Sequence, residues 1–271
     1  LRVTTGHYGK VKLLKHFVNK DSLLQDWQWH VTRDYGAGSE LAAEWLVSEL
    51  RANPTLLLSA ASGNSPMRTY DLFTRSILSN GVSTTNMRVL KLDEWGGLPM
   101  ANPATCESYL QKLLIQPLKI SPDRFIAFQS DASEPEEECH RIGTWLRLHG
   151  PIDICVLGLG INGHLGLNEP AEKLTSSCHV ARLTDESLSH SMLSAITNPP
   201  SYGLTMGMRE ILMSKTILLL VFGAAKATQL ERLMTGLLST YFPASFLTLH
   251  GRVVCICDEA AARRLPHELM T

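Results

Sequence analysis

Four short stretches of the sequence combine residue types that can move protons or hold an anion. The first is Gly158-Leu159-Gly160-Ile161-Asn162-Gly163-His164-Leu165-Gly166-Leu167-Asn168-Glu169-Pro170, where an imidazole lies among glycines with a carboxylate in the same loop. Imidazole titrates near neutrality and glycines leave space beside it, so His164 and Glu169 suit acid–base work on a ligand; a histidine that only fills a turn is the alternative. The second is Asp93-Glu94, directly after the apolar Val89 to Leu92, where a carboxylate can project from a strand end. These acids could instead cap a turn before Trp95-Gly96-Gly97. The third, Ser62-Gly63-Asn64-Ser65-Pro66, sits between an apolar run and a helical pattern, where free amides and the helix dipole favour a phosphate and Ser65 adds a hydroxyl. For the motif taken alone, a helix cap by Ser65 over a tight turn at Gly63 is the favoured explanation. The fourth is Lys226, just past Gly223 at a helix start, where a cation opposes the dipole unless an anion is near.

These residues need elements to position them, and the hydrophobic pattern supplies an alternation. Leu41, Ala42, Trp45, Leu46 and Leu50 repeat at helical spacing, and Leu56 to Ala61 is a short apolar run; Met67, Tyr70, Leu72, Phe73 and Ile77 are helical again. The alternation continues with strands over 87–92, 124–128, 152–159, 216–222 and 253–256, and helices over 108–115 and 134–148. Strands apolar on both faces, alternating with helices, call for a mainly parallel sheet covered on both sides. The expected fold is α/β, a three-layer αβα sandwich of the doubly wound, Rossmann-like kind. All four stretches then fall at the carboxyl ends of strands, where ligands bind in such folds. Residues 1–34 are weakly patterned and read as a leading segment, with 35–271 as one α/β domain.

Composition narrows the function classes. The chain has 271 residues with 44% apolar and 19% charged, enough for a large core. Its 25 Lys plus Arg balance 26 Asp plus Glu, so no global positive field is present to hold nucleic acid or an anionic membrane. The apolar run 217–225 is far short of a membrane span, and the chain reads as a soluble cytoplasmic protein. Six scattered cysteines form no CxxC pair, and Cys255 and Cys257, which alternation places on one strand face, lack a second pair of zinc ligands; no metal site is expected. The bare GxGxxG at 158–163 does not signal a dinucleotide, because the loop runs on rather than opening into a helix. GxxxxGK[ST] is missing, so a nucleoside triphosphate is not indicated either.

Taken in series, LDEWGGLP with NPATCESYL, DICVLGLGINGHLGLNEP, YGLTMG, LLLVFGAAKA and PASFLTLH resemble the glucosamine-6-phosphate deaminase and 6-phosphogluconolactonase superfamily, and within it the galactosamine-6-phosphate isomerase/deaminase branch. The resemblance covers nearly everything from Leu56 to His250. It implies an enzyme that needs no cofactor, takes a hexosamine 6-phosphate, opens its ring, moves a proton from C2 to C1 and releases ammonia. It further implies Asp93 as the base that shuttles the proton, His164 as the acid/base at the ring oxygen, and Glu169 as the carboxylate that orients His164. Gly63, Asn64, Ser65 and Lys226 are implied as the phosphate cradle; Glu94, counted with the binding residues, is read as supporting Asp93 or the loop rather than reacting. Assembly as a homo-oligomer is left open.

Two departures from the superfamily pattern bear on this. The arginine that contacts phosphate after NEP in the glucosamine enzymes has no counterpart at His190-Ser191-Met192-Leu193, leaving His190 and Arg182 as candidates. Asn162 replaces the usual aspartate of the DGH motif, keeping its shape but not its charge, and fits the galactosamine branch. A 6-phosphogluconolactonase is a second reading, opposed by Trp95 where those enzymes carry arginine and by the Asn168-Glu169-Pro170 ending. A sugar-phosphate sensor without catalysis is a third, opposed by the retention of Asp93, His164 and Glu169.

Overall fold

The computed structural model describes residues 12–13, 27–194 and 196–265. The strands are β1 (Lys12–Leu13), β2 (Gln28–Thr32), β3 (Leu57–Ala60), β4 (Arg88–Lys91), β5 (Asp93–Gly96), β6 (Phe125–Ile126), β7 (Ile154–Gly158), β8 (His179–Ala181), β9 (Tyr202–Thr205), β10 (Thr216–Val221) and β11 (Val253–Asp258). The helices are α1 (Tyr35–Ala52), α2 (Asn64–Ser79), α3 (Cys106–Leu110), α4 (Pro135–His149), α5 (Asp185–Leu188), α6 (Met208–Leu212), α7 (Ala227–Met234) and α8 (Glu259–Ala262). The main sheet runs β1-β2-β11-β10-β7-β3-β4-β6, parallel throughout except for β1.

Side-chain alternation on these strands makes the three layers. Leu58, Val89, Val156, Leu218, Leu220 and Ile256 face α1, α2 and α3, meeting Leu46, Leu50, Tyr70, Phe73 and Leu110. Their neighbours Leu57, Leu90, Cys155, Leu157, Leu219 and Cys255 face α4, α6, α7 and α8, meeting Ile142, Ile211, Leu230 and Ala261. Both faces of each central strand are therefore dry, which explains why the strands read as unbroken apolar runs. Cys255 and Cys257 share one face as small core side chains, and no cluster of metal-ligating residues occurs among the described residues. Among those residues no helix is long and apolar enough to cross a membrane.

Three features depart from the expectation. Gln28–Thr32 is a full sheet strand, parallel to β11, so the leading segment does not extend to residue 34. Its apolar residues Trp27, Trp29 and Val31 alternate into the core, a period-two signal too short to stand out in sequence. Asp93–Gly96, where the sequence put only the two acids beyond a strand end, is a strand in a second, three-stranded sheet with β9 and β8. The helix expected over 108–115 is α3 followed by a wider π-type turn at Gln111–Ile115.

Candidate active site

The order of the sheet places the cleft. From β3 the chain winds outward through β4 to β6, then returns to lay β7 on the other side of β3. At such a reversal the connections leaving adjacent strands part and open a crevice at their carboxyl ends. The four adjacent strands β4, β3, β7 and β10 deliver the four stretches read from sequence: Asp93, Ser62 to Ser65, the His164 loop, and Lys226. All line one cavity of about 430 Å³. A larger cavity of about 610 Å³ between α4 and α6 shares no lining residue with it.

At the inner end stands Asp93, 8% exposed. Burial, and then the neighbouring Glu94 carboxylate, push its carboxyl up to about 7, against the opposing pull of Lys91. A carboxyl of that pKa can both take and return a proton near neutrality. Glu94 does something different from what its position suggested. It is fully buried; Oε2 pairs with Lys91 Nζ at 2.6 Å, and its two oxygens accept the backbone amides of Trp95, Cys106 and Glu107. Glu94 thus anchors the start of α3 and does not line the cleft, which corrects its place among the ligand-binding candidates. The physical reason is strand alternation: with Asp93 facing the cleft, its neighbour must face away.

Across the cavity, His164 Nδ1 lies 3.5 Å from Glu169 Oε2. The imidazole packs over Gly160, where a Cβ would stand 2.5 Å from the ring; only glycine lets the ring lie there. Asn162 explains how the loop works without an aspartate. Its Oδ1 accepts the backbone N–H of His164 at 3.1 Å and its Nδ2 donates to Glu169 Oε2 at 3.0 Å. Glu169 Oε1 accepts from the buried Ser187 hydroxyl, a contact that sequence gave no reason to expect because Ser187 lies in α5, beyond the loop. Burial raises the Glu169 carboxyl, but the neighbouring His164 ring and the hydrogen bonds from Ser187 and Asn162 outweigh it and hold it below the ordinary value.

That geometry makes a prediction. Asn162→Asp turns an N–H donor into an anionic acceptor 3.0 Å from Glu169, so Glu169 should titrate at higher pH than in the parent protein. A depressed carboxylate adds stability above its unfolded pKa and loses it as pH falls through the folded one. The variant is therefore expected to be less stable by about 2 kcal/mol at pH 7, and the deficit should shrink toward pH 4. Thermal melts across that range check it; a deficit independent of pH would mean the two side chains do not interact.

The outer end suits an anion. Gly63, at φ +115°, turns the chain into α2, and no side chain caps the first amides of that helix. Ser65 therefore is not the cap; it lines the cavity. The hydroxyls of Tyr109 and Tyr35 donate to the carbonyls of Gly63 and Asn64 at 2.7 and 2.8 Å, which fixes the turn. Asn64 Nδ2 is bonded to Ser191 Oγ at 3.1 Å. Lys226 lines the same end, its amine lowered to about 8 by burial, and pairs with no carboxylate among the described residues. Of the two further candidates, His190 lines the cavity, whereas Arg182 is exposed and does not. His190 Nδ1 accepts the Met192 amide at 3.2 Å, so the neutral ring carries its proton on Nε2, the atom that faces Gly63.

Comparison with known proteins gives the chain a family. The family described as glucosamine-6-phosphate isomerases/6-phosphogluconolactonase matches residues 37–255. A relative from Escherichia coli strain K12, named as the deaminase AgaI, is 39% identical over 250 residues, covering 92% of this chain and 97% of its own. The glucosamine-6-phosphate deaminase of Halalkalibacterium halodurans is 33% identical, covering 83% and 92%. The solved structure of a monomeric glucosamine-6-phosphate deaminase superposes with a TM-score of 0.83 at 32% identity, covering 87% of this chain and 99% of that one. The 6-phosphogluconolactonase of Trypanosoma brucei shares the fold at a TM-score of 0.68 and 18% identity, covering 88% and 98%. The chain belongs to the family of glucosamine-6-phosphate isomerases and 6-phosphogluconolactonases, and is an enzyme of its isomerase and deaminase kind.

Proposed function

We propose that the protein converts a 2-amino-2-deoxyhexose 6-phosphate to the ketose 6-phosphate and ammonia, with galactosamine 6-phosphate as its substrate. The observation that carries this is Asp93, a buried carboxyl held near pKa 7 in the cavity that His164 also lines, with Glu169 3.5 Å from the imidazole. Lactone hydrolysis needs an activated water and no carboxylate at that place; proton transfer between adjacent carbons needs one. The cradle of Gly63, Asn64, Ser65 and Lys226 would hold the phosphate, with His190 donating to it as a neutral ring.

His164 would pass a proton to the ring oxygen as the ring opens, its orientation kept by Glu169. Asp93 would then take the C2 proton and return it to C1, converting the 2-amino aldose to a ketimine. Water adds at C2 and ammonia leaves, so the step consumes one water and no redox equivalent. For the galacto epimer, support comes from Asn162 together with the Gly166-Leu167-Asn168-Glu169-Pro170 ending, the pattern of the galactosamine branch.

Ammonia release from galactosamine 6-phosphate and glucosamine 6-phosphate, measured in parallel, tests the reading. Faster release from the galacto epimer is expected. Faster release from the gluco epimer would reverse the stereochemical assignment. Release from neither, with either sugar phosphate still bound, would leave a sensor, and turnover of 6-phosphogluconolactone would leave a lactonase.

A further inference from the structure

The turn 165–168, which separates His164 from Glu169, lies flat on the small sheet. A Cβ at Gly166 would stand 3.0 Å from Thr205 Oγ1 and 3.4 Å from Asp93 Oδ2, and one at Gly203 would stand 2.2 Å from Leu167 Cδ1. Thr205 on β9 is the cross-strand partner of Asp93 on β5, so the two side chains leave the sheet on one face, directly beneath that turn. Thr205 is fully buried, and its hydroxyl makes two bonds at once: Oγ1 accepts the Leu167 amide at 3.2 Å and donates to the Met206 carbonyl at 3.0 Å. Asn168 Nδ2 donates to the same carbonyl at 2.9 Å and to the Leu165 carbonyl at 2.8 Å, which closes the turn. The Met206 amide donates to the carbonyl of Leu92, the residue before Asp93, at 3.0 Å. Neither Thr205 nor Asn168 lines the cavity.

We propose that Thr205 is a positioning residue: its hydroxyl fastens the turn 165–168 to the strand paired with β5, and so sets how closely the loop carrying His164 and Glu169 covers Asp93. This rests on the reading of Asp93 as the base. Two groups that must act on one substrate in succession need a fixed spacing, and here a single hydroxyl joins their supports. The cover also keeps water from Asp93, and burial is the main cause of its raised pKa. Among the other ionisable groups, Glu94 raises the Asp93 carboxyl and Lys91 lowers it, and Tyr70, Cys106 and Cys155 lie near enough to feel its charge. His164 faces it across the cavity, and His179 is the next residue across the sheet beyond Thr205. None of these bonds to the Thr205 hydroxyl, so a substitution at 205 reaches Asp93 through the turn.

Wild type, Thr205→Val and Thr205→Ser are compared by infrared titration of the Asp93 carboxyl in the free enzyme, assigned by subtraction of Asp93→Asn, and by kcat and KM. Valine keeps the branched shape but leaves the Leu167 amide without its acceptor, so the turn should lift and admit water. The Asp93 midpoint is then expected to fall by about one pH unit, and kcat by about 10- to 100-fold with KM little changed. Serine keeps the hydroxyl and should hold the wild-type midpoint and most of kcat. A residue that only fills the core would lower Tm in the valine variant and leave the midpoint in place; that result overturns the proposal. So does serine shifting as far as valine, because the methyl would then be what matters, or a loss that falls on KM instead of kcat. If valine does not fold, alanine replaces it under the same criteria, since alanine and serine both lack the methyl and differ only in the hydroxyl. The infrared titration needs no substrate: absence of ammonia release from the wild type would count against the proposed function, while the midpoints still decide the role of Thr205.

Discussion

Asp93→Asn is expected to abolish ammonia release, lowering kcat by about 10²–10⁴-fold while KM changes little. The amide keeps the shape of the carboxyl but cannot accept the C2 proton, and the phosphate is held at the other end of the cavity. The same substitution should make the protein more stable at pH 8. Burial raises the folded-state pKa of Asp93 to about 7 from the 3.8 of an ordinary aspartate, so the native state binds a proton that the unfolded state has lost. Stability contributed by this group is complete below the unfolded pKa and falls as pH rises through the folded one. The Asn variant should therefore match the wild type near pH 4 and exceed it above pH 7 by up to about 4 kcal/mol. Loss of turnover with a gain in Tm confined to the higher pH would mark a group kept for chemistry at the expense of stability. Equal melting at pH 8 would show that Asp93 ionises without cost, and the basis for its tuning would be lost.

Lys226→Met is expected to raise KM for the sugar phosphate by roughly 30- to 100-fold, the loss of one charge-assisted contact, with kcat reduced far less. The amine is lowered to about 8 by burial, so in the free enzyme it is charged at pH 7 and loses its proton as pH passes 8. Wild-type KM should climb above that pH, and the climb should vanish in the Met variant. In the same profile His190→Ala should cost a smaller, pH-independent factor. Burial first, then the neighbouring His164 and Lys226, keep His190 below its ordinary pKa, and the Met192 amide occupies the nitrogen that would have to gain the proton. A KM unaffected by Lys226→Met would place the phosphate elsewhere.

Much of this site was legible before the fold was known, because an α/β sheet exposes little besides the carboxyl ends of its strands. Asp93, His164, Ser62 to Ser65 and Lys226 each follow an apolar run, and a residue so placed is directed to the crevice whatever the details. The reading of Glu94 as a support for the loop holds, but for lack of a register it was also counted with the ligand-binding residues. Adjacent carboxylates on a strand point opposite ways, and nothing in Asp93-Glu94 says which of them meets the ligand. Strand β2 was missed because its two apolar alternations are too few to outweigh the unpatterned residues before it.

The sequence by itself determined the class of fold, the cleft's main residues and the family, since apolar periodicity and glycine spacing are local properties that survive without coordinates. Only the tertiary structure decided which side chains meet. Ser187 reaches Glu169 from a separate helix, Ser62 at the end of one strand meets Cys106 at the start of α3, and Asn162 serves two partners at once. The pKa of Asp93 is likewise a tertiary quantity: desolvation depends on everything packed around a carboxyl, and that packing has no signature in the residues beside it.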